Sequence, residues 1–316
     1  MPPHIVTIVD PATGTAARVL AEQGFNCFSF RPVVEGQPVE ALWSAEGFES
    51  GTLRSTASGI PILFPFAGRL RGSSLRFAGR QVPLVIDSRL GFAIHGFVHD
   101  RAWRVLEQKP ASVTGEFHAS RDDPVLADLW PADFRIRVCY EVVGNALGCQ
   151  ITIDNPSDVP LPCGLGTHGY FRVPLGSDGD RDTCRLYVPA RRYWELAGML
   201  PSGQAPPVDA ARDLTSGMRF GQAKLDDVLT DLECEAGRVV CRIQDIAAGR
   251  RLVLEFDELF HHCVVFTPPH RESICFEPYT TVPDAFALTE RGIDAGLRVL
   301  KPGESFQANI DLRLEG

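Results

Sequence analysis

Residues 134–155, FRIRVCYEVVGNALGCQITIDN, alternate apolar and polar side chains on both sides of a Gly-Asn step. A period of two sends successive side chains to opposite faces of a strand. The stretch therefore predicts a hairpin whose turn tolerates positive φ. The same pattern recurs at 4–10, 26–33, 74–85, 112–120, 184–190, 238–245, 251–258, 261–268 and 306–314. The 29 glycines and 24 prolines fall between these runs and do not gather into a linker. Helical spacing is brief: 123–134 carries Leu126, Leu129 and Trp130 before Pro131 stops it, and 207–214 is a second short candidate. Strands do not alternate with helices of roughly 10–15 residues, which argues against a doubly wound α/β fold. The expectation is an all-β chain, a large antiparallel β-sandwich with few short helices, forming one domain over 1–316.

Charge and cysteine usage narrow the function. The net charge is -9, without a block of like charges, so the basic footprint of a nucleic-acid binder is missing. Nine cysteines form no C-x-x-C pair, and several lie in apolar runs, which reads as buried free thiols in a reducing compartment. MPPHIVTIVDPATG lacks the charged and apolar regions of a signal peptide. No run approaches the ~20 apolar residues of a membrane helix. These features predict a cytoplasmic protein with neither nucleic acid nor membrane as a partner; they set no oligomeric state.

CGLGTHGYFRVP, 163–174, contains a formal G-x-G-x-x-G, but a dinucleotide loop needs a helix to follow it. Here Tyr170 to Val173 is β-like and Pro174 ends it, so the match is set aside. The glycines instead suit a backbone passing close to a ligand or another strand. His168 then points into a cavity; taken alone, it reads equally as a hydrogen-bonded core histidine. ICFEPYTTVPDAF, 274–286, supplies a second anomaly, because Glu277 sits between Phe276 and Pro278 in an apolar strand end. A carboxylate there needs partners or a task. A histidine near ~6.5 and a modestly raised glutamate would make an acid–base pair. The chain has no G-x-S-x-G elbow and no sign of an activated Cys163.

Other polar groups stand against apolar backgrounds. GIPILFPFAGRLRG leads into Arg69, with Arg71 read as solvated; GFAIHGFVHDRAW carries His95; and KLDDVLTDLE carries Asp226 and Asp227, the latter read as a turn or N-cap residue. The spacing of His95 and His99 fits a metal only on a helix, which Gly96 disfavours. His261 and His262 face opposite sides of a strand. No metal site is expected. Phe66 and Trp103 are candidates for stacking on a ligand or, more simply, for the core.

Taken in order, GIPILFPFAGRLRG, IHGFVHDRAWRVL, PCGLGTHGYFRVPLG, KLDDVLTDLE and FEPYTTVPDAFAL…GIDAGLRVLKPGES resemble the aldose 1-epimerase (galactose mutarotase) family almost from end to end. The resemblance implies a β-supersandwich that interconverts the α and β anomers of a free sugar without a cofactor. It places His168 on the general acid, Glu277 on the general base, and Arg69, His95 and Asp226 on sugar hydroxyls. Many members have proline after the histidine where this chain has Gly169, and the aspartate segment lacks the Asp-His pair of the galactose enzymes. Sugar preference is thus left open. Three rival readings remain: a hexose 6-phosphate epimerase clamping phosphate with Arg54, Arg71, Arg76 and Arg80, a non-catalytic sugar-binding module, and a carbohydrate lyase or hydrolase.

Overall fold

A computed structural model describes residues 3–176 and 179–316. Two antiparallel sheets carry the architecture. The larger has nine strands, running in space Arg104–Gln108, Ser112–His118, Arg135–Val143, Ala146–Asp154, Ser305–Glu315, Arg250–Asp257, Arg238–Asp245, Arg185–Tyr187 and Met218–Arg219. The smaller runs Ala190–Tyr193, Asp226–Leu232, His262–Phe266, Ser273–Tyr279, Gly166–Thr167 and Ile62–Leu63, with Gly169–Arg172 also paired to Ser273–Tyr279. The predicted hairpin is present, Arg135 facing Asp154 and Val143 facing Ala146 across the turn. Its alternation is realised as a buried row, Ile136, Val138, Tyr140 and Val142, opposite Leu147, Cys149, Ile151 and Ile153. The chain is thus mostly β, as its periodicity implies.

The smaller sheet has two differently used faces. In antiparallel pairs, residues directly opposite each other share a face. Leu229, Cys263, Phe276 and Phe171 therefore point one way, into the same core cluster as Val138, Leu254 and Ile310 of the larger sheet. Their neighbours Val228, Val264 and Tyr279 point the other way and join a smaller cluster with Trp194, Leu63 and Leu288. Ser273–Tyr279 is buried at all seven positions because both of its faces are covered.

Several local expectations change. Run 74–85 is two strands, Ser74–Phe77 and Arg80–Pro83, because Ala78 and Gly79 both take positive φ and turn the chain back. The first helical candidate reduces to Leu126–Leu129. Residues 207–214 form no helix: Asp209 accepts from the N–H groups of Ala211, Arg212 and Asp213 and holds a turn instead. The Ala285–Glu290 helix lies outside the predicted elements.

The 164–169 glycines serve close strand packing. Gly166 pairs with both Tyr279 and Leu63, and a Cβ there would lie 2.6 Å from the Tyr279 ring and 2.7 Å from Ala67. At Gly169 a Cβ would meet the Phe171 ring at 2.6 Å. Gly166→Ala overpacks this junction and is expected to cost about 1–3 kcal/mol. Denaturant unfolding should show a lower midpoint at an unchanged slope; a midpoint equal to that of the parent would contradict the packing role.

Candidate active site

The second face of the smaller sheet borders a hollow of about 220 Å³. Glu277 and Tyr279 reach it as alternate residues of one strand, Val264 (opposite Glu277) and Phe266 (opposite Cys275) from the next, and Asp226 and Val228 from the strand beyond. Tyr170 lies opposite Cys275, and His168, two residues before Tyr170, stacks on its ring at 4.8 Å and 5°. Arg69 and His95 come from the opposite wall, where Arg69 pairs with Ile94. The hollow thus brings together all five residues singled out in the sequence: Arg69, His95, His168, Asp226 and Glu277.

His168 Nε2 lies 3.3 Å from Glu277 Oε1. The other carboxylate oxygen, Oε2, accepts a 2.6 Å hydrogen bond from the Tyr279 hydroxyl. Both members of the pair are buried, with His168 7% and Glu277 2% exposed. Burial disfavours charge on either group, and it acts in opposite directions. It pushes His168 down to about 3, with Arg54 and Arg69 adding to the effect. It pushes Glu277 well above the usual carboxylate range, against the pull of Tyr279 and Arg69. The expectation of an ordinary histidine beside a slightly raised glutamate is therefore corrected: desolvation reverses their ordinary order, so a proton shared by the pair favours the carboxyl.

His95 is fixed by a strained backbone. Its φ is 66°, uncommon for a residue with a Cβ, and Gly68 ties it at two points. His95 N–H donates to Gly68 O at 2.9 Å, while Nδ1 accepts from Gly68 N–H at 3.3 Å. Burial, with nearby His168, holds the ring well below its ordinary pKa, so it is neutral with its proton on Nε2, ready to donate. His99 turns elsewhere, its Nδ1 2.7 Å from Ser55 Oγ, and His262 meets Thr230 Oγ1 at 2.9 Å. Asp226 is exposed at the rim. Partial desolvation raises its pKa and Arg69 lowers it. Its neighbour Asp227 is a strand residue on the other face, where Arg212 Nε donates to it at 2.7 Å; the turn or N-cap reading fails because the strand begins at Asp226.

The four arginines of the phosphate reading do not converge. Arg54 lines the hollow. Arg71 is tied to Asp284, Arg76 lies with Arg71 along a separate groove, and Arg80 donates to Pro131 O at 3.1 Å. Trp103 and Phe66 pack in the core, against Phe25 and Trp130. Sequence reasoning passed over Tyr279, Tyr170 and Phe266. The i, i+2 spacing of Glu277 and Tyr279 was the available signal.

A family model described as aldose 1-epimerase matches residues 12–313. The chain belongs to the aldose 1-epimerase family. Among solved structures, a galactose mutarotase-like protein from Clostridium acetobutylicum has a TM-score of 0.87 at 20% identity, covering 100% of this chain and 99% of that one. An aldose epimerase homologue from C. elegans has a TM-score of 0.81 at 19% identity, over 99% of both chains. Galactose 1-epimerase from Lactobacillus acidophilus NCFM has a TM-score of 0.75 at 16% identity, again over 99% of both. At these identities the likeness establishes the galactose mutarotase-like fold of this epimerase-family chain. None of its helices, among the described residues, is long and apolar enough to cross a membrane.

The Tyr279 hydroxyl favours the ionised form of Glu277, so Tyr279→Phe should raise that carboxyl's pKa further. Carboxyl-¹³C NMR of glutamate-labelled protein should show the Glu277 titration moving to higher pH. An unmoved titration would mean that the hydroxyl does not act on the carboxylate.

Proposed function

We propose that the protein is an aldose 1-epimerase that interconverts the α and β anomers of a free aldohexose. The observation that carries this reading is the 3.3 Å approach of His168 Nε2 to Glu277 Oε1 at a sugar-sized hollow. Opening a cyclic hemiacetal moves two protons at one carbon: O1 loses one and the ring oxygen gains one. A base and an acid side by side match two oxygens bonded to the same atom.

In the form that acts, His168 holds the pair's proton and Glu277 is ionised, its Oε2 occupied by Tyr279. Glu277 Oε1 takes the O1 proton as His168 Nε2 protonates the ring oxygen, and the C1–O5 bond breaks to give the open aldehyde. Rotation about C1–C2 presents the other carbonyl face. O5 then attacks C1, returning its proton to His168, while Glu277 protonates the new O1. Nothing is consumed, and the pair ends as it began. Arg69, His95 through Nε2–H and Asp226 hold ring hydroxyls during the turn. Groups from residue 69 to residue 277 serve one sugar, which supports treating the chain as one working domain. A neutral sugar suits a site in which one arginine of the proposed phosphate clamp is present.

Polarimetry on freshly dissolved α-glucose and α-galactose tests the reading. The parent should accelerate mutarotation, and Glu277→Gln and His168→Ala should each lose roughly 10²–10⁴-fold while staying folded by circular dichroism. Parent-like rates in both variants would end the assignment. The acid limb of the parent's pH–rate profile should lie below pH ~5, because burial lets His168 accept a second proton only near its pKa of about 3. A limb at the ordinary histidine value of ~6.5 would contradict that environment.

A further inference from the structure

Cys275 takes no part in the chemistry above, yet it lies beside the pair. It precedes Glu277 by two residues, so both side chains occupy the same face of Ser273–Tyr279. Its cross-strand partner is Tyr170, on whose ring His168 stacks. One ligand-type atom from each of His168, Cys275 and Glu277 lies within 4.8 Å of the other two, and all three residues are buried. Among the described residues, no other set of three His, Cys, Asp or Glu side chains converges in this way.

We propose that His168, Cys275 and Glu277 form a binding site for a soft divalent cation such as Zn²⁺, which occupies the catalytic pair in place of substrate and inhibits the protein. The inhibitory half of this statement rests on the function proposed above; the binding half does not.

The donor set selects the ion. A thiolate, an imidazole and a carboxylate suit Zn²⁺ or Co²⁺, whereas Mg²⁺ and Ca²⁺ take oxygen donors. Zn–N and Zn–O bonds of ~2.0–2.2 Å at the tetrahedral angle imply an N···O edge of about 3.4 Å. The His168–Glu277 separation of 3.3 Å meets that requirement, while the Cys275 thiol, within 4.8 Å of both, has to close toward the ~3.6 Å edge that a Zn–S bond of ~2.3 Å implies. Charge also balances: Zn²⁺ displaces the thiol proton and the proton shared by the pair, and thiolate plus carboxylate then neutralise the ion. A ligating thiolate has given up its proton, so the bond forms with proton release and tightens as pH rises. Cys275 itself is fully buried, and the ion reaches it from the side of its neighbours His168 and Glu277, which line the hollow. Three protein ligands leave a fourth position for water. His168 bound to metal cannot hand a proton to a ring oxygen, and Glu277 bound to metal cannot take one from O1.

Cys234 is exposed and near Glu258, so the test uses a Cys234→Ser background to remove a competing surface thiol. Co²⁺ titration followed by absorption should give a thiolate-to-cobalt charge-transfer band with strong tetrahedral d–d bands, saturating at one equivalent and bleached by Zn²⁺. Cys275→Ser and Cys275→Ala on that background should both lose the charge-transfer band. Zn²⁺ should inhibit mutarotation by the background protein. Its inhibition constant should rise at least ~10-fold in either Cys275 variant, the loss that removal of a merely supporting group already brings. A charge-transfer band that survives loss of Cys275, or its absence from the background protein, overturns the site, as does equal Zn²⁺ inhibition of background and variants. A cobalt spectrum as described in a protein that does not accelerate mutarotation would leave the cation site standing and remove the proposed function instead.

Discussion

The carboxyl of Glu277 is placed where an isolated ionised group is expensive, inside a strand buried from end to end. Three neighbours make that tolerable. Tyr279 donates to one oxygen, His168 faces the other, and Arg69 lends positive potential across the hollow. Burial also gives the group its use. A carboxyl held above its normal range, next to an imidazole held below its own, draws the shared proton toward the carboxyl, so the charged form that acts is reached from a neutral pair. The same two side chains in water would titrate independently and in the opposite order, the imidazole holding its proton to higher pH.

The sheet beneath determines which groups meet. One face of the smaller sheet is committed to the main core through Leu229, Cys263 and Phe276, which fixes the register of its strands. Residues one step along, Val228, Val264 and Glu277 among them, therefore face the hollow. That step is what brings Asp226, Phe266, Glu277 and Tyr170 together from four separate strands. Gly166 matters to the site for this reason, since the strand carrying Glu277 and Tyr279 lies against it with no space for a methyl group. The opposite wall is set by a different device, the double tie from Gly68 that holds His95 in the left-handed region.

Much of this could be read from residues alone. Alternation marked the long strands, because a half-buried strand with one polar face writes its geometry into a period of two. Glu277 stood out because its neighbours are bulky and apolar, and His168 because glycines flank it. Other features left weaker traces. The short strands at 62–63 and 166–167 are too brief to show a period, and their pairing comes from distant partners. Residues 207–214 have helical composition, yet the Asp209 side chain and carbonyl capture the local N–H groups first. Asp227 looked like a cap because its segment is acidic; pairing with the strand that carries Val265 makes it a β residue. A raised Glu277 was expected from its apolar neighbours, but the depressed His168 was out of reach, because its desolvation depends on what closes over the side chain from elsewhere in the chain.

The proposed chemistry depends on where an anomeric carbon sits. A crystal structure of the protein soaked with a free aldohexose measures this directly. The expected result is O1 within hydrogen-bond reach of Glu277 Oε1 and the ring oxygen facing His168 Nε2, with both anomers represented at C1. A sugar bound with C1 turned away from the pair, or seated outside this hollow, would contradict it.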